Sequence, residues 1–302
     1  MKTFTKLLIA IVLICIAAFL YFWTSSPKVP APGEQPVVTS TTTPSEGTPR
    51  ATQTTGGQSV IGKSVEGRDI TAYHFGTGAT KILFVGGIHG GYSWNTSLVA
   101  YELIDYLTKT PSVIPAKVQV TVIPVLNPDG LKKVVGTADR FTKEQVSTSA
   151  ATVATGRFNT NSVDLNRNFD CDWKATGTWQ NKAVSGGSKA FSEPESAALK
   201  AYIEANTPSA VIVWFSAAGG VFSSNCGSGV STATREITNL YAKASGYPAH
   251  ESFDFYETTG DVANWLSKKN IPAISVLLTT HADTEWSKNQ AGIDAVFQKY
   301  TN

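Results

Sequence analysis

The stretch FVGGIHGGYSWN, residues 84–95, presents a histidine in the position of a metal ligand. An apolar, strand-like run ends in glycines, and His89 follows where that strand would meet solvent. An imidazole in this position can bind zinc, but the site would need a carboxylate three or four residues later. Those positions hold Tyr92 and Ser93. The segment therefore has the histidine ligand of a metal site and lacks the carboxylate ligand expected after it.

Other residues could supply different chemistry. His281, Asp283 and Glu285 stand close together in TTHADTEW, where they form either a replacement metal site or a solvated loop. Ser216 follows an apolar run and could act as a nucleophile only with a base beside it. Its own segment contains no histidine, which argues against a serine hydrolase.

Apolar runs alternate with helix-like segments and would position these residues. Ser192 and Glu195 form the Ser-x-x-Glu pattern of a capping box, which predicts that a helix begins there. The alternation indicates a largely parallel sheet covered on both faces. Ligands in such folds bind at the carboxyl ends of strands, where His89, Asn127 and Ser216 are expected. The predicted strands are 81–87, 118–130, 210–216 and 273–278, and the other predicted helices are 97–109, 232–244, 260–269 and 290–300.

The composition of the 302-residue chain is that of a globular protein with a hydrophobic core. Hydrophobic residues make up 42% of the chain, charged residues make up 16%, and the formal net charge is +2. The sequence has no basic run, which argues against a nucleic-acid partner. We expect a monomer.

The first 23 residues differ from the rest. Lys2 and Lys6 precede an uncharged apolar run of about 17 residues, near the lower limit for spanning a bilayer. Lysines on the short side of such a run predict that the N terminus is cytoplasmic and the remainder lies outside. Residues 1–23 therefore predict an uncleaved membrane anchor, with a cleaved signal peptide as the alternative. Either alternative places the rest of the chain outside the cytoplasm.

A tether and a folded domain are predicted to follow. Residues 24–58 are rich in Pro, Thr, Ser and Gly and have too few bulky apolar groups to form a core, so they predict a disordered linker. The folded domain is predicted to cover residues 59–302. In an oxidising compartment the pair Cys171 and Cys226 suggests a disulfide, with two free buried thiols as the alternative.

Six motifs follow one another along the predicted domain. They are GKSVEGRDI (62–70), GGIHGG (86–91), NPDGL (127–131), VDLNRNFD (163–170), YETTGDVANW (256–265) and IPAISVLL (271–278). In this order they resemble the zinc carboxypeptidase family. The resemblance implies a single α/β domain with a mixed, mostly parallel sheet of about eight strands and helices on both faces. It also implies zinc held by two histidines and a glutamate, with a second glutamate as general base.

The resemblance assigns a substrate-holding set that this sequence retains. Asn166 and Arg167 match the pair that binds the terminal carboxylate, to which a guanidinium can donate two parallel hydrogen bonds. Arg157 falls where the oxyanion-stabilising arginine is expected, and Tyr256 matches the mobile tyrosine that closes over the substrate. Asp261 lies in the segment that shapes the side-chain pocket. It would suit a basic terminal residue or a cell-wall diamino acid, or it is a helix N-terminal acid.

The metal and base set is incomplete. His89 is retained, but the glutamate ligand is replaced by Ser93, or by Tyr92 in another register. The second histidine is replaced by Phe215, and the general-base glutamate is replaced by Leu277. A single imidazole provides only a small part of the binding free energy of a full ligand set, so zinc is expected to be absent or weakly bound.

Three hypotheses follow. In the first, the chain is a membrane-tethered, extracytoplasmic member of this family that has lost zinc catalysis. It still binds the C-terminal carboxylates of peptides or cell-wall peptides. In the second, it is an active metallocarboxypeptidase or peptide amidase with an unusual zinc site. In the third, it is an inactivated variant of an active parent.

Overall fold

The computed structural model describes residues 57–301. The predicted anchor, residues 1–23, and most of the predicted linker, residues 24–58, lie outside the described part of the chain. Among residues 57–301, no helix is both long and apolar enough to cross a membrane.

A mixed sheet of eight strands forms the scaffold of the described residues. Its order is β1-β2-β4-β3-β7-β10-β8-β9. The central strands β4, β3, β7 and β10 are parallel to one another, whereas β2 joins β4, and β8 joins β10, in antiparallel orientation. Strands β5 and β6 pair as a separate antiparallel hairpin. The strands are β1 (Gln58–Lys63), β2 (Asp69–Phe75), β3 (Thr80–Val85), β4 (Val118–Ile123), β5 (Thr176–Trp179), β6 (Lys182–Ser185), β7 (Ala210–Ser216), β8 (Gly220–Ser223), β9 (Ala249–His250) and β10 (Ala273–Leu278).

Helices cover both faces of this sheet. Within β3, Ile82 and Phe84 join the core beneath α1, α5 and α7, while Leu83 and Val85 join the core beneath α4 and α6. Successive strand residues point to opposite faces, so a sheet buried on both faces needs the continuous apolar runs seen in the sequence. The predicted fold class is confirmed. The α-helices of the described residues are α1 (Trp94–Lys109), α2 (Pro128–Val135), α3 (Ala150–Thr155), α4 (Pro194–Asn206), α5 (Thr232–Ser245), α6 (Val262–Lys268) and α7 (Trp286–Lys299).

Several predicted elements differ from the structure at their boundaries. Helix α1 begins three residues, and α7 four residues, before the predicted starts at 97 and 290. Helix α4 begins at Pro194 with Glu193 as its N-cap, not at Ser192. Proline fits the first helical position, because its missing N–H would have no partner there and its φ is already helical. The predicted strand 118–130 stops at Ile123, because Asn127 caps α2 and its side chain accepts a hydrogen bond from the Gly130 N–H at 2.8 Å.

The predicted disulfide is confirmed. Cys171 and Cys226 are bonded, with their Cα atoms 5.8 Å apart and a sequence separation of 55 residues. In the chain-entropy model a loop of this length stabilises the fold by about 4 kcal/mol. The bond joins the segment after the 3₁₀ turn Leu165–Arg167 to the segment after β8.

Candidate functional site

A cleft of about 320 Å³ opens at the carboxyl ends of the central parallel strands. His89 follows β3, Phe215 and Ser216 end β7, and Leu277 lies near the end of β10. The 3₁₀ turn Leu165–Arg167 contributes Asn166 and Arg167 to the same cleft. The structure therefore brings together most of the residues singled out in the sequence. Asn127 instead lies beneath the cleft, where its amide donates to the Arg157 carbonyl at 3.5 Å.

His89 lies beside a buried ion pair. Its Nε2 is 3.3 Å from Oδ1 of Asp164, without the alignment of a hydrogen bond, and neither ring nitrogen has a hydrogen-bond partner. Arg157 donates to Oδ2 of Asp164 through Nε at 2.9 Å, and its Nη2 forms an ion pair with the same oxygen at 2.8 Å. Burial, reinforced by the charge of Arg157, lowers the pKa of His89 to about 4. Burial alone would raise the pKa of Asp164, but the adjacent Arg157 holds that pKa below its ordinary value. At pH 7 the imidazole is neutral and the carboxylate is charged.

The positions expected for the other zinc ligands and the base hold different chemistry. Ser93 is buried, and its hydroxyl has no hydrogen-bond partner. The Phe215 ring lies 5.5 Å from the His89 ring, centroid to centroid. Phe215 is the register partner of Leu277 across the β7–β10 pair, and both side chains are buried in the same apolar cluster. The wall of the cleft next to His89 is therefore hydrocarbon.

The residues present do not fit a catalytic zinc ion. Such a site takes three protein ligands, drawn from histidine, cysteine and carboxylates, around one point. His89 has unpartnered nitrogens, but its acidic neighbour Asp164 already pairs with Arg157. Among residues 57–301, the only group of three such side chains with ligand atoms within 4.8 Å of one another is Cys171, Asp172 and Cys226. Its two cysteines form the disulfide, so this group is not a metal site either.

Arg157 is held between its carboxylate partner and an aromatic wall. Its guanidinium carbon lies 4.7 Å from the Trp179 ring centroid and 5.6 Å from that of Tyr92. The two rings meet edge to face at 5.0 Å. Such cation–π contacts contribute about 0.5–2 kcal/mol each. Trp179 was not predicted as a site residue, because the β5–β6 hairpin that carries it has no motif of its own.

Asn166 is oriented by the start of helix α6. Its side-chain amide donates to Oδ2 of Asp261 at 2.8 Å, and its carbonyl oxygen accepts from the Val262 N–H at 3.1 Å. Asp261 is the N-cap of α6, where Oδ1 accepts from the Asn264 N–H at 2.8 Å. Burial raises the pKa of Asp261. The structure thus places Asp261 as a helix N-terminal acid whose two oxygens are both hydrogen-bonded, at the edge of the cleft.

Arg167 is buried and forms no salt bridge with a described residue. It is 2% exposed, and its charge counters the effect of burial on the pKa of Asp164 and of Asp261, so both carboxyl groups lie near it without pairing directly. Its Nη2 donates to the Thr178 carbonyl at 3.1 Å, but its Nε has no hydrogen-bond partner. Tyr256 lies at the rim, 43% exposed, with its ring centroid 5.6 Å from the Arg167 guanidinium carbon. A guanidinium in such a position can donate charge-assisted hydrogen bonds to an anion.

Ser216 and His281 meet in the cleft. Oγ of Ser216 lies 3.0 Å from Nδ1 of His281 and donates to Oδ1 of Asn95 at 3.0 Å. Glu285, in contrast, accepts from the backbone and side chain of Thr279 at 2.6 and 2.9 Å. The segment after β10 therefore does not form the replacement metal site considered from its sequence.

Comparisons with known proteins show which proteins this chain resembles in sequence and in fold. The sequence model described as zinc carboxypeptidase matches residues 57–280. No curated protein sequence matches the chain significantly.

Solved structures share the architecture at low sequence identity. Bovine thrombin-activatable fibrinolysis inhibitor, solved with tick carboxypeptidase inhibitor, superposes with a TM-score of 0.63 at 16% identity, covering 81% of this chain and 88% of that chain. Murein-tripeptide amidase MpaA of Escherichia coli superposes with a TM-score of 0.56 at 20% identity, covering 84% of this chain and 97% of that chain. Carboxypeptidase A of Helicoverpa armigera superposes with a TM-score of 0.60 at 19% identity, covering 81% of this chain and 67% of that chain. At these identities the likeness concerns the fold.

Proposed function

The chain belongs to the zinc carboxypeptidase family, and on that premise we propose that it is a member without zinc catalysis that binds the C-terminal carboxylate of peptides. The observation that carries the proposal is the burial of the Arg167 guanidinium in the wall of the cleft. A buried charge without a direct salt bridge is costly, and a carboxylate that accepts a hydrogen bond from this guanidinium would offset that cost. The buried guanidinium with an unpartnered Nε, at 2% exposure, lines the cleft beside Asn166.

The arrangement around Arg167 supports a carboxylate of a flexible ligand. Asn166 has its amide oxygen and one amide proton fixed by the start of α6, so its orientation is set before a ligand arrives. Tyr256 lies over Arg167 at the exposed rim and can cover a bound chain end. Arg157 adds a second guanidinium in the same cleft. A peptide or cell-wall peptide C terminus has the required charge and shape.

Loss of zinc catalysis is supported by the apolar pair in the cleft. Phe215 and Leu277 stand where the family has a metal-binding histidine and a general base, and neither side chain can ligate a metal or accept a proton. In the family mechanism the glutamate base acts on metal-activated water. Among residues 57–301, no group of three His, Cys, Asp or Glu side chains gathers around His89.

We also propose that the domain works outside the cytoplasm, attached through residues 1–23. The apolar run with lysines on its N-terminal side supports an anchor. The Cys171–Cys226 bond supports an oxidising compartment, where disulfides form and persist.

The test compares two labelled peptides of identical sequence, one with a free C-terminal carboxylate and one with a C-terminal amide. Fluorescence anisotropy should show at least about tenfold tighter binding of the acid, because one charge-assisted pair contributes about 1.5–3 kcal/mol. Arg167→Ala should bind both peptides at the level of the amide. Arg140→Ala, which changes an exposed arginine, is the matched control. Equal binding of both peptides, or full binding by Arg167→Ala, would refute the proposal.

A further inference from the structure

Ser216 and His281 form a hydrogen-bonded pair that neither the metal chemistry nor the carboxylate site uses. Ser216 is the last residue of β7, and His281 follows β10, the parallel neighbour of β7. Their side chains meet with Oγ and Nδ1 3.0 Å apart, and both residues line the cleft. A serine hydroxyl next to an imidazole in an accessible cleft is the arrangement of a nucleophile with its base.

A third residue fixes the pair. Asn95, which is fully buried, donates through Nδ2 to the carbonyls of Thr280 and Asp283 at 2.8 and 2.9 Å. These two bonds hold the His281 segment and turn Oδ1 of Asn95 toward Ser216, 3.0 Å from its Oγ. The single hydroxyl proton is donated to Oδ1 of Asn95, and rotation about the Cβ–Oγ bond would turn it to Nδ1 of His281 at the same distance.

The environment of His281 keeps its imidazole neutral. Burial, together with the positive charge of Arg157, lowers the pKa of His281, and an interaction with the backbone of Tyr92 opposes this. The Tyr92 ring also packs on the imidazole, with centroids 4.5 Å apart. A neutral imidazole has one nitrogen that can accept a proton. With the ring proton on Nε2, that acceptor is Nδ1, which faces Ser216.

We propose that Ser216 is a nucleophile toward activated acyl groups, such as carboxylic esters, with His281 as its general base. Oγ forms a bond to the acyl carbon while its proton passes to Nδ1, and the carbonyl electron pair moves to the oxygen. When that oxygen re-forms the carbonyl, the bond to the alkoxide breaks, and the leaving alkoxide takes the proton from His281. Water then hydrolyses the acyl-serine by the same route. Arg157, whose charge acts on His281, is the cation available to the oxyanion.

A fluorophosphonate probe tests this pair directly, because Oγ–P bond formation expels fluoride and needs no further group. The purified full-length chain is treated with the probe, and adducts are measured by intact mass and located by peptide mapping. We expect one adduct per chain, on Ser216. His281→Gln should slow labelling at least about 100-fold, the ordinary contribution of a general base. Ser216→Ala should remove the adduct.

Ser223→Ala is the matched control. Ser223 also lines the cleft, but its hydroxyl pairs with Thr238 at 2.8 Å, so this variant should label at the wild-type rate. No adduct at Ser216 under excess probe, an adduct on another serine, or an unchanged rate in His281→Gln would overturn the proposal. Mapping the adduct on the wild-type chain gives the answer even if Ser216→Ala does not fold. The carboxylate site is tested separately by peptide binding, so either proposal can fail without the other.

Discussion

Phe215 on β7 is the direct register partner of Leu277 on β10, and this pair forms the apolar wall of the cleft beside His89. Both residues are more than nine-tenths buried, with exposures of 6% and 8%. Since β7 and β10 are adjacent and parallel, residues at the same level on the two strands meet at one point. Two residues that are far apart in the chain thus meet at a single place in the structure.

The first prediction concerns zinc. The wild-type chain, equilibrated with micromolar zinc and desalted, should retain much less than one zinc per chain. The triple variant Ser93→Glu, Phe215→His and Leu277→Glu should retain about one zinc per chain. It adds a glutamate and a histidine that can bind zinc together with an unpartnered nitrogen of His89, and it supplies a glutamate as general base. Atomic emission gives the stoichiometry. One tightly held zinc in the wild-type chain would favour the alternative of an active metallocarboxypeptidase or peptide amidase.

The single variant Ser93→Glu is the control for the triple variant. It supplies one carboxylate but leaves Phe215 and Leu277 in place, so it should remain below one zinc per chain. Thermal unfolding provides a second measurement, because zinc should raise the Tm of the triple variant only. A triple variant that unfolds at the same temperature with and without zinc would contradict this prediction.

The second prediction concerns the buried ion pair. Arg157→Ala should lower the free energy of unfolding by about 3–5 kcal/mol, because it leaves the Asp164 carboxylate buried and uncompensated. Arg140→Ala breaks the exposed pair with Asp105 and should cost at most about 1 kcal/mol. Urea unfolding measures both. If the free energy of unfolding fell by the same amount in both variants, the buried Arg157–Asp164 pair would stabilise the fold no more than an exposed pair does.

The third prediction concerns Asp261. Asp261→Asn should weaken binding of a C-terminal acid about tenfold, since the new amide has a single acceptor oxygen. That oxygen can keep the N-cap bond from the Asn264 N–H, but then the Asn166 side chain loses its acceptor. Peptides that end in Lys and in Ala should weaken by the same factor, because both oxygens of Asp261 are already hydrogen-bonded.

The control for this variant is Asp170→Asn, which changes an exposed carboxylate paired with Lys268. If Asp261→Asn lost binding of the Lys-ending peptide alone, the result would instead support Asp261 as an acid that recognises a basic terminal side chain.

The fourth prediction concerns pH. Only the neutral imidazole of His281 can accept the proton of Ser216, so fluorophosphonate labelling should rise with pH and then level off. Burial and Arg157 lower the pKa of His281, so the midpoint should lie below the ordinary value of about 6.5. His74→Gln, which changes a histidine of β2, should leave the midpoint unchanged. A midpoint above pH 8 would show that His281 does not control the reaction.

Much of the fold could be predicted from local patterns. Strands buried on both faces need uninterrupted apolar residues, so 210–216 and 273–278 were predicted with the bounds that β7 and β10 have. The cysteine pair in a predicted extracytoplasmic domain also indicated the bond that is found. The start of α4 was mispredicted because the position of Pro194 outweighs the Ser-x-x-Glu pattern.

The sequence by itself determined the family motifs, and it predicted that Asn166 and Arg167 are retained and that the metal and base residues are replaced. It did not show that Ser216 has a base, because His281 lies 65 residues away and is brought beside it only by the pairing of β7 with β10. It also did not show that Arg167 is buried and forms no salt bridge with any residue of 57–301. Burial and pairing depend on which distant segments pack together, so only the tertiary structure decided what these side chains can do.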